Sequence, residues 1–196
     1  MSLASTSPKS ASQPRRLSIL GSTGSIGCST LDLVERNRPA FEIDALTANR
    51  SVARLAMQVK RFGARLAVVA DEAAYGDLKE ALSGSGIEAA AGAAAVAEAA
   101  GRPADWVMAA IVGAAGLAPT LSAIRQGTVI GLANKETLVC AGSLMTAEVR
   151  RCGAQLLPVD SEHNAIFQVL DLDQPESVGR LLLTAYGGAF RRLRSA

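Results

Sequence analysis

Four short clusters in this sequence carry residue types that can do chemistry. Gly21, Gly24 and Gly27 stand three apart, directly after the apolar run Leu17-Ser18-Ile19-Leu20. A backbone needs such glycines to bend tightly from strand into helix and let a pyrophosphate approach. The first permits the turn, the second removes a side chain where phosphate comes close, and the third lets the helix pack on its strand. The anion then lies on a helix N-terminus, where free N–H groups point at it. Taken alone, the pattern also suits any tight strand-to-helix connection.

The second cluster is Thr47-Ala48-Asn49-Arg50-Ser51, at the end of the next β-like run, Phe41 to Thr47. A strand-end acid there would bind the ribose 2′-hydroxyl of NAD, whereas a guanidinium among small polar groups suits a 2′-phosphate. The cluster therefore points to NADP; the competing reading is a solvated Arg50 at a helix start. The third, Asn134-Lys135-Glu136, is a charged strand-to-helix junction after Leu132. The fourth, Asp160-Ser161-Glu162-His163-Asn164, follows the extended-looking run Gln155 to Val159. In an extended segment residues two apart point the same way. Asp160 and Glu162 would then present two carboxylates to one point, half a site for Mg²⁺ or Mn²⁺. The alternative is an acidic helix N-terminus, with Asp160 and Ser161 capping a helix through Ile166, Phe167 and Leu170. His163, the only histidine, reads as structural.

The elements between these clusters must position them. Ile26 to Arg36 has helical periodicity, closed by Asn37-Arg38-Pro39, and Ser51 to Phe62 reads as the next helix. Leu66 to Val69 is a strand, Asp71 to Leu82 a helix that its acid can cap, and Ile87 to Ala90 a short strand. The Ala-rich Gly92 to Ala100 reads as a surface helix. Trp106 to Ala109 and Thr128 to Leu132 are strands separated by a helix around Pro119 to Gln126. The alternation predicts an α/β fold with a doubly wound parallel sheet, whose ligands collect at the carboxyl ends of the strands.

Composition agrees. With 196 residues the chain holds one large domain, or one plus the beginning of another, and 4% aromatics among abundant aliphatics suit a parallel-sheet core. A net charge of +2 gives no footprint for nucleic acid or a membrane surface. Cys28, Cys140 and Cys152 lack metal-ligand spacing and read as incidental thiols of a reducing compartment. The chain has no apolar run long enough to span a membrane. The start of the chain, rich in Ser with Pro8 and Pro14, reads as a disordered leader over residues 1–15, too short and unpatterned for a transit peptide, so the expected location is the cytoplasm.

Three motifs together carry a resemblance: Gly21-Ser22-Thr23-Gly24-Ser25-Ile26-Gly27, Leu132-Ala133-Asn134-Lys135-Glu136-Thr137-Leu138, and the long run from Leu157 to Gln168. In order and spacing they resemble the 1-deoxy-D-xylulose 5-phosphate reductoisomerase family, from Arg16 to about Phe190. The resemblance implies a Rossmann-like NADPH-binding domain over 16–153, followed by the truncated start of an α+β catalytic domain over 154–196. It implies NADPH- and divalent-metal-dependent rearrangement and reduction of a sugar phosphate to 2-C-methyl-D-erythritol 4-phosphate, in non-mevalonate isoprenoid synthesis, by a homodimer when full-length.

Residue by residue, the resemblance assigns Thr23, Gly24, Ser25 and Ile26 to the NADPH phosphate loop and Asn49, Arg50 and Ser51 to the 2′-phosphate region. It puts Asn134 and Glu136 on the cofactor side, makes Lys135 the catalytic lysine contacting substrate, and makes Ser161 and Glu162 substrate contacts. Asp160 and Glu162 become ligands of Mn²⁺ or Mg²⁺. Tyr186 and Ala189 depart from the family, which has a phosphate-binding serine and usually a proline there. The family also continues past the matched region into a third acidic metal ligand, a lid and a helical domain. The alternative reading is a catalytically inactive NADP-binding fragment.

Overall fold

The computed structural model describes residues 13–171 and 174–182. These fall into two compact units, one up to Leu157 and the other from Pro158. The first is an α/β layered unit. Its elements are β1 (Arg15–Leu20), α1 (Ser25–Arg36), β2 (Phe41–Ala48), α2 (Val52–Phe62), β3 (Leu66–Val69), α3 (Tyr75–Ala81) and β4 (Glu88–Ala91), then α4 (Ala93–Ala100), β5 (Trp106–Ala109), α5 (Leu117–Arg125), β6 (Val129–Leu132), α6 (Glu136–Cys152) and β7 (Gln155–Pro158). The second carries α7 (Ser161–Val169).

The sheet has seven strands in the order β4-β3-β2-β1-β5-β6-β7. Parallel pairing runs from β4 through β6, and the Gln155 N–H donates to the Thr128 carbonyl at 3.1 Å, tying β7 to the approach to β6. Helices cover both faces, so the central strands are buried on both sides: all four residues of β3 are buried, as are Val107, Met108 and Ala109. Ile19 and Leu46 are wholly enclosed, and each such side chain contributes roughly 1.5–3 kcal/mol of transfer free energy. From β1 the chain winds outward through β2, β3 and β4, then returns to β5 on the other side. The crevice between β1 and β5 is thus the topological switch point, at which open α/β sheets bind ligands.

Several expectations need correcting in detail. Arg15 opens β1 opposite Phe41 and so belongs to the sheet, not to a leader. The segment expected as one helix from Asp71 is a 3₁₀ turn over Glu72–Ala74 followed by α3. Asp71 still caps it, accepting from the Ala73 N–H at 3.0 Å. Helix α4 is a surface helix with one buried face, its Ala93, Ala94 and Glu98 being exposed. Val96, Ala99 and Ala100 are buried against Ala45, Leu66 and Val68 on one side and Val107 and Ile130 on the other. Alanine is both a good helix former and small enough to bring a helix close to a sheet, and an Ala-rich segment lacks the apolar contrast that would mark its inner face.

Candidate functional site

The loop from β1 to α1 is built as its glycines require. Gly21 has φ +82°, and a Cβ there would lie 2.8 Å from the Ala110 carbonyl oxygen, on the loop that follows β5. Only glycine satisfies both constraints. Gly27 sits inside the first turn of α1, where a Cβ would stand 2.5 Å from Ser22 Cα and 2.7 Å from its carbonyl carbon, so its absence lets the helix rest on the turn. Gly24 is different. A Cβ there would meet only the Gly21 carbonyl oxygen, at 3.4 Å, so nothing within the chain demands glycine. It is exposed, with Ser25 and Ile26 beside it. That is what a position reserved for an approaching ligand looks like.

Thr47 pins the turn: its Oγ1 accepts from the Gly21 N–H at 2.9 Å and its carbonyl from the Ser22 N–H at 2.8 Å. Gly24 gives α1 no side-chain cap, and the first turn holds no acid. The helix therefore offers an uncompensated positive end. An anionic phosphate fits this cradle.

Asn49, Arg50 and Ser51 follow β2 and are all exposed. The Arg50 guanidinium lies 3.0 Å from Asp71 with its side chain 74% exposed. So exposed a pair contributes about 0–1 kcal/mol, which leaves the guanidinium able to turn to a phosphate. Ser51 occupies the N-cap position of α2 without spending its hydroxyl there. No acid stands at the end of β2, where a ribose 2′-hydroxyl would call for one.

After β6, Asn134 is buried and its amide is committed to the chain. Nδ2 donates to the carbonyls of Ile111 and Gly113 at 2.6 and 2.9 Å, and Oδ1 accepts from the Thr137 N–H at 3.3 Å. Asn134 thus staples the loop after β5 to the start of α6. Lys135 next to it is exposed at the N-cap position of α6 and has no ion-pair partner among the described residues. Glu136 is half-buried in the first turn. A separate concavity, lined by Arg16, Glu42, Pro103 and Asp105, lies at the opposite, amino-terminal edge of the sheet, away from all of these groups.

In the second unit, Asp160 and Glu162 do not alternate along an extended segment. Asp160 has extended backbone and is the N-cap of α7, and Glu162 is in that helix's first turn. Asp160 Oδ1 accepts from the His163 N–H at 2.9 Å and contacts His163 Nδ1 at 2.6 Å. The capping reading of this segment is therefore the geometric one. A side-chain oxygen able to satisfy an orphan N–H won over continued strand. Glu162 accepts from the Ser161 hydroxyl at 2.9 Å, and Asn164 Nδ2 holds the Pro158 carbonyl at 2.7 Å. Two carboxylates on one helix N-terminus give hard oxygen donors of the kind Mg²⁺ and Mn²⁺ prefer. The described residues contain no group of three candidate ligands. Tyr186 and Ala189 lie outside the described residues.

Residues not singled out in the sequence also bear on the loop. Ser22 and Gln58 are buried polar residues in contact, and Arg54 reaches the Thr23 carbonyl. The legible signal was Gln58 lying between Leu55 and Val59 on the apolar stripe of α2. The three cysteines are free thiols, with Cys28 half-buried and Cys140 exposed. No described helix is long and apolar enough to cross a membrane.

Comparison with known proteins adds identity to this geometry. The family model for 1-deoxy-D-xylulose 5-phosphate reductoisomerase matches residues 17–142, and that for the C-terminal domain of the same enzyme matches 156–196. A 1-deoxy-D-xylulose 5-phosphate reductoisomerase from Rhodospirillum centenum is 62% identical over 177 residues, 90% of this chain and 44% of its own length. One from Rhizobium meliloti is 64% identical over 179 residues, 90% of this chain and 46% of its own. The chain thus spans rather less than half the length of these curated relatives. The solved Zymomonas mobilis reductoisomerase in complex with NADPH superposes with a TM-score of 0.81 at 60% identity, over 83% of this chain and 43% of that one. A reductoisomerase solved with NADPH, fosmidomycin and magnesium gives 0.78 at 38% identity, over 82% of this chain and 40% of that one. With the parallel sheet, the glycine cradle and both matched family models in hand, this chain belongs to the 1-deoxy-D-xylulose 5-phosphate reductoisomerase family.

Proposed function

We propose that this chain carries the NADPH-binding half and the first catalytic segment of an enzyme that rearranges and reduces 1-deoxy-D-xylulose 5-phosphate to 2-C-methyl-D-erythritol 4-phosphate. The observation that carries the reading is the uncapped, acid-free start of α1 behind a glycine turn at the sheet's switch point. Thr23, Gly24, Ser25 and Ile26 receive the pyrophosphate on backbone N–H groups, while Arg50, flanked by Asn49 and Ser51, takes the 2′-phosphate. Asn134 serves the cofactor side through the loop it staples, with Glu136 beside it. NADPH supplies the hydride. Lys135 binds the substrate and places positive charge beside an oxygen that gains negative charge during the reaction. Asp160 and Glu162 are the first two ligands of Mg²⁺ or Mn²⁺, whose chemistry is that of a Lewis acid on neighbouring oxygens. Ser161 and Glu162 also contact the substrate. The substrate is a small sugar phosphate, in keeping with a net charge of +2 that offers no nucleic-acid surface. Three free thiols suit a reducing cytoplasm. The family resemblance supports a homodimer for the full-length protein.

The test is NADPH oxidation, followed by absorbance, with 1-deoxy-D-xylulose 5-phosphate and Mn²⁺. Turnover that is lost in Asp160→Ala and in Lys135→Ala is the expected result. Turnover indifferent to Asp160→Ala would overturn the metal assignment. A folded chain that binds NADPH without turnover would restrict these 196 residues to cofactor binding.

A further inference from the structure

Arg54 and Gln58 stand one turn apart on α2, and both reach across to the loop that joins β1 to α1. Arg54 Nη1 donates to the Thr23 carbonyl at 3.1 Å, and Gln58 Nε2 donates to the Ser22 carbonyl at 3.0 Å. The Ser22 hydroxyl returns the contact, donating to Gln58 Oε1 at 2.8 Å, with the Thr47 carbonyl 3.2 Å away. Ser22 is wholly buried and Gln58 is 6% exposed. A buried amide is tolerated only when its donor and acceptor are both matched. Gln58 and the turn therefore fix each other: one amide reads both the carbonyl and the hydroxyl of Ser22. Two consecutive loop carbonyls are thus held by one face of α2, and Cys28 Sγ, 3.8 Å from Gln58 Nε2, closes the group on the α1 side.

Helix α2 begins immediately after Asn49-Arg50-Ser51. The residues placed to meet a 2′-phosphate therefore head the same rigid rod whose next turns hold the pyrophosphate loop. At 1.5 Å per residue, Arg54 and Gln58 follow the N-cap by roughly 5 and 10 Å along that rod.

We propose that Arg54 and Gln58 are positioning residues that couple the two anion subsites of the cofactor, setting the pyrophosphate loop from the helix whose start receives the 2′-phosphate. The proposal rests on the NADP reading above. Gln58 is too buried to touch the cofactor, so its effect passes through the Ser22 peptide. Arg54 is exposed and acts on the Thr23 peptide.

Two probes separate this role from general support of α2. The chain is titrated with NADPH, which uses both subsites, and with adenosine 2′-monophosphate, which uses only the 2′-phosphate subsite. Gln58→Leu and Arg54→Met should each weaken NADPH about tenfold, with adenosine 2′-monophosphate binding unchanged, and Arg54→Lys should recover most of the loss. Equal weakening of both probes would overturn the proposal in favour of a structural role, as would unchanged NADPH affinity in both variants. If Gln58→Leu fails to fold, the exposed Arg54 pair decides alone. A wild-type chain that binds neither probe would overturn the NADP reading itself, and this proposal with it.

Discussion

At the scale of single residues, the three loop glycines are unequal, and the difference separates folding from binding. Gly27→Ala drives a methyl group into the backbone of Ser22. Backbone cannot give way as a side chain would, so the substitution should cost about 1–3 kcal/mol, read as a lower thermal midpoint. Gly24→Ala meets only an ordinary contact with the Gly21 carbonyl. It should melt close to the wild type and yet lose about tenfold in NADPH affinity, the size of one lost hydrogen bond. A Gly24→Ala chain that binds NADPH normally would mean that phosphate does not approach there. The glycine roles were legible because each follows from spacing within one strand–turn–helix unit. The geometry of Asp160 and Glu162 was less so. An aspartate that can cap ends a strand as readily as it continues one, and only the His163 N–H on its carboxylate decides. Asn134 was visible as a site residue, but its commitment to Ile111 and Gly113 depends on a loop 21 and 23 residues earlier.

Among the elements, α5 and α6 are joined by a charge cluster that makes a pH prediction. The Glu148 carboxyl is held at about 2, below its ordinary 4.5, chiefly by the Arg151 hydrogen bond and then by that from Arg125, against the opposing effect of burial. Arg151 lies on α6 with Glu148, whereas Arg125 ends α5 at 3.2 Å. A carboxyl with a lowered folded-state pKa stabilises the fold above its unfolded value and ceases to do so as pH falls through the folded one. The Glu148 contribution is therefore complete above about 4.5 and lost on acidification toward 2. Glu148→Gln should unfold at lower urea concentration than wild type at neutral pH, with the gap closing near pH 2. A gap that does not change with pH would contradict the assignment. Periodicity made most of these elements readable, since the strands and α1, α2 and α5 carry clear apolar patterns. Which face of α4 is buried was not legible, because the seven alanines and glycines around Val96 and Glu98 in Gly92–Ala100 leave little contrast from which to infer it.

For the whole molecule, the decisive feature is the strand order. Placing β1 between β2 and β5 opens one crevice at the carboxyl edge of the sheet. Into it run the glycine turn after β1 and the loop after β5 that crowds Gly21, with Asn49-Arg50-Ser51 at the same edge after β2. That order was predictable only as a class, because the alternation of strand and helix implies a doubly wound sheet without saying which strands are neighbours. The family assignment was legible from three motifs. The full catalytic set was not, since this chain spans 44–46% of its reductoisomerase relatives. Recognition of the cofactor is therefore the decisive property of this chain. Titrating the chain with NADPH and with NADH, followed by nicotinamide fluorescence, tests it most directly. A charge-assisted contact from Arg50 to the 2′-phosphate predicts that NADPH binds about tenfold or more tightly than NADH and that Arg50→Ala removes the difference. Equal affinity for the two nucleotides, or a preference for NADH, would contradict it.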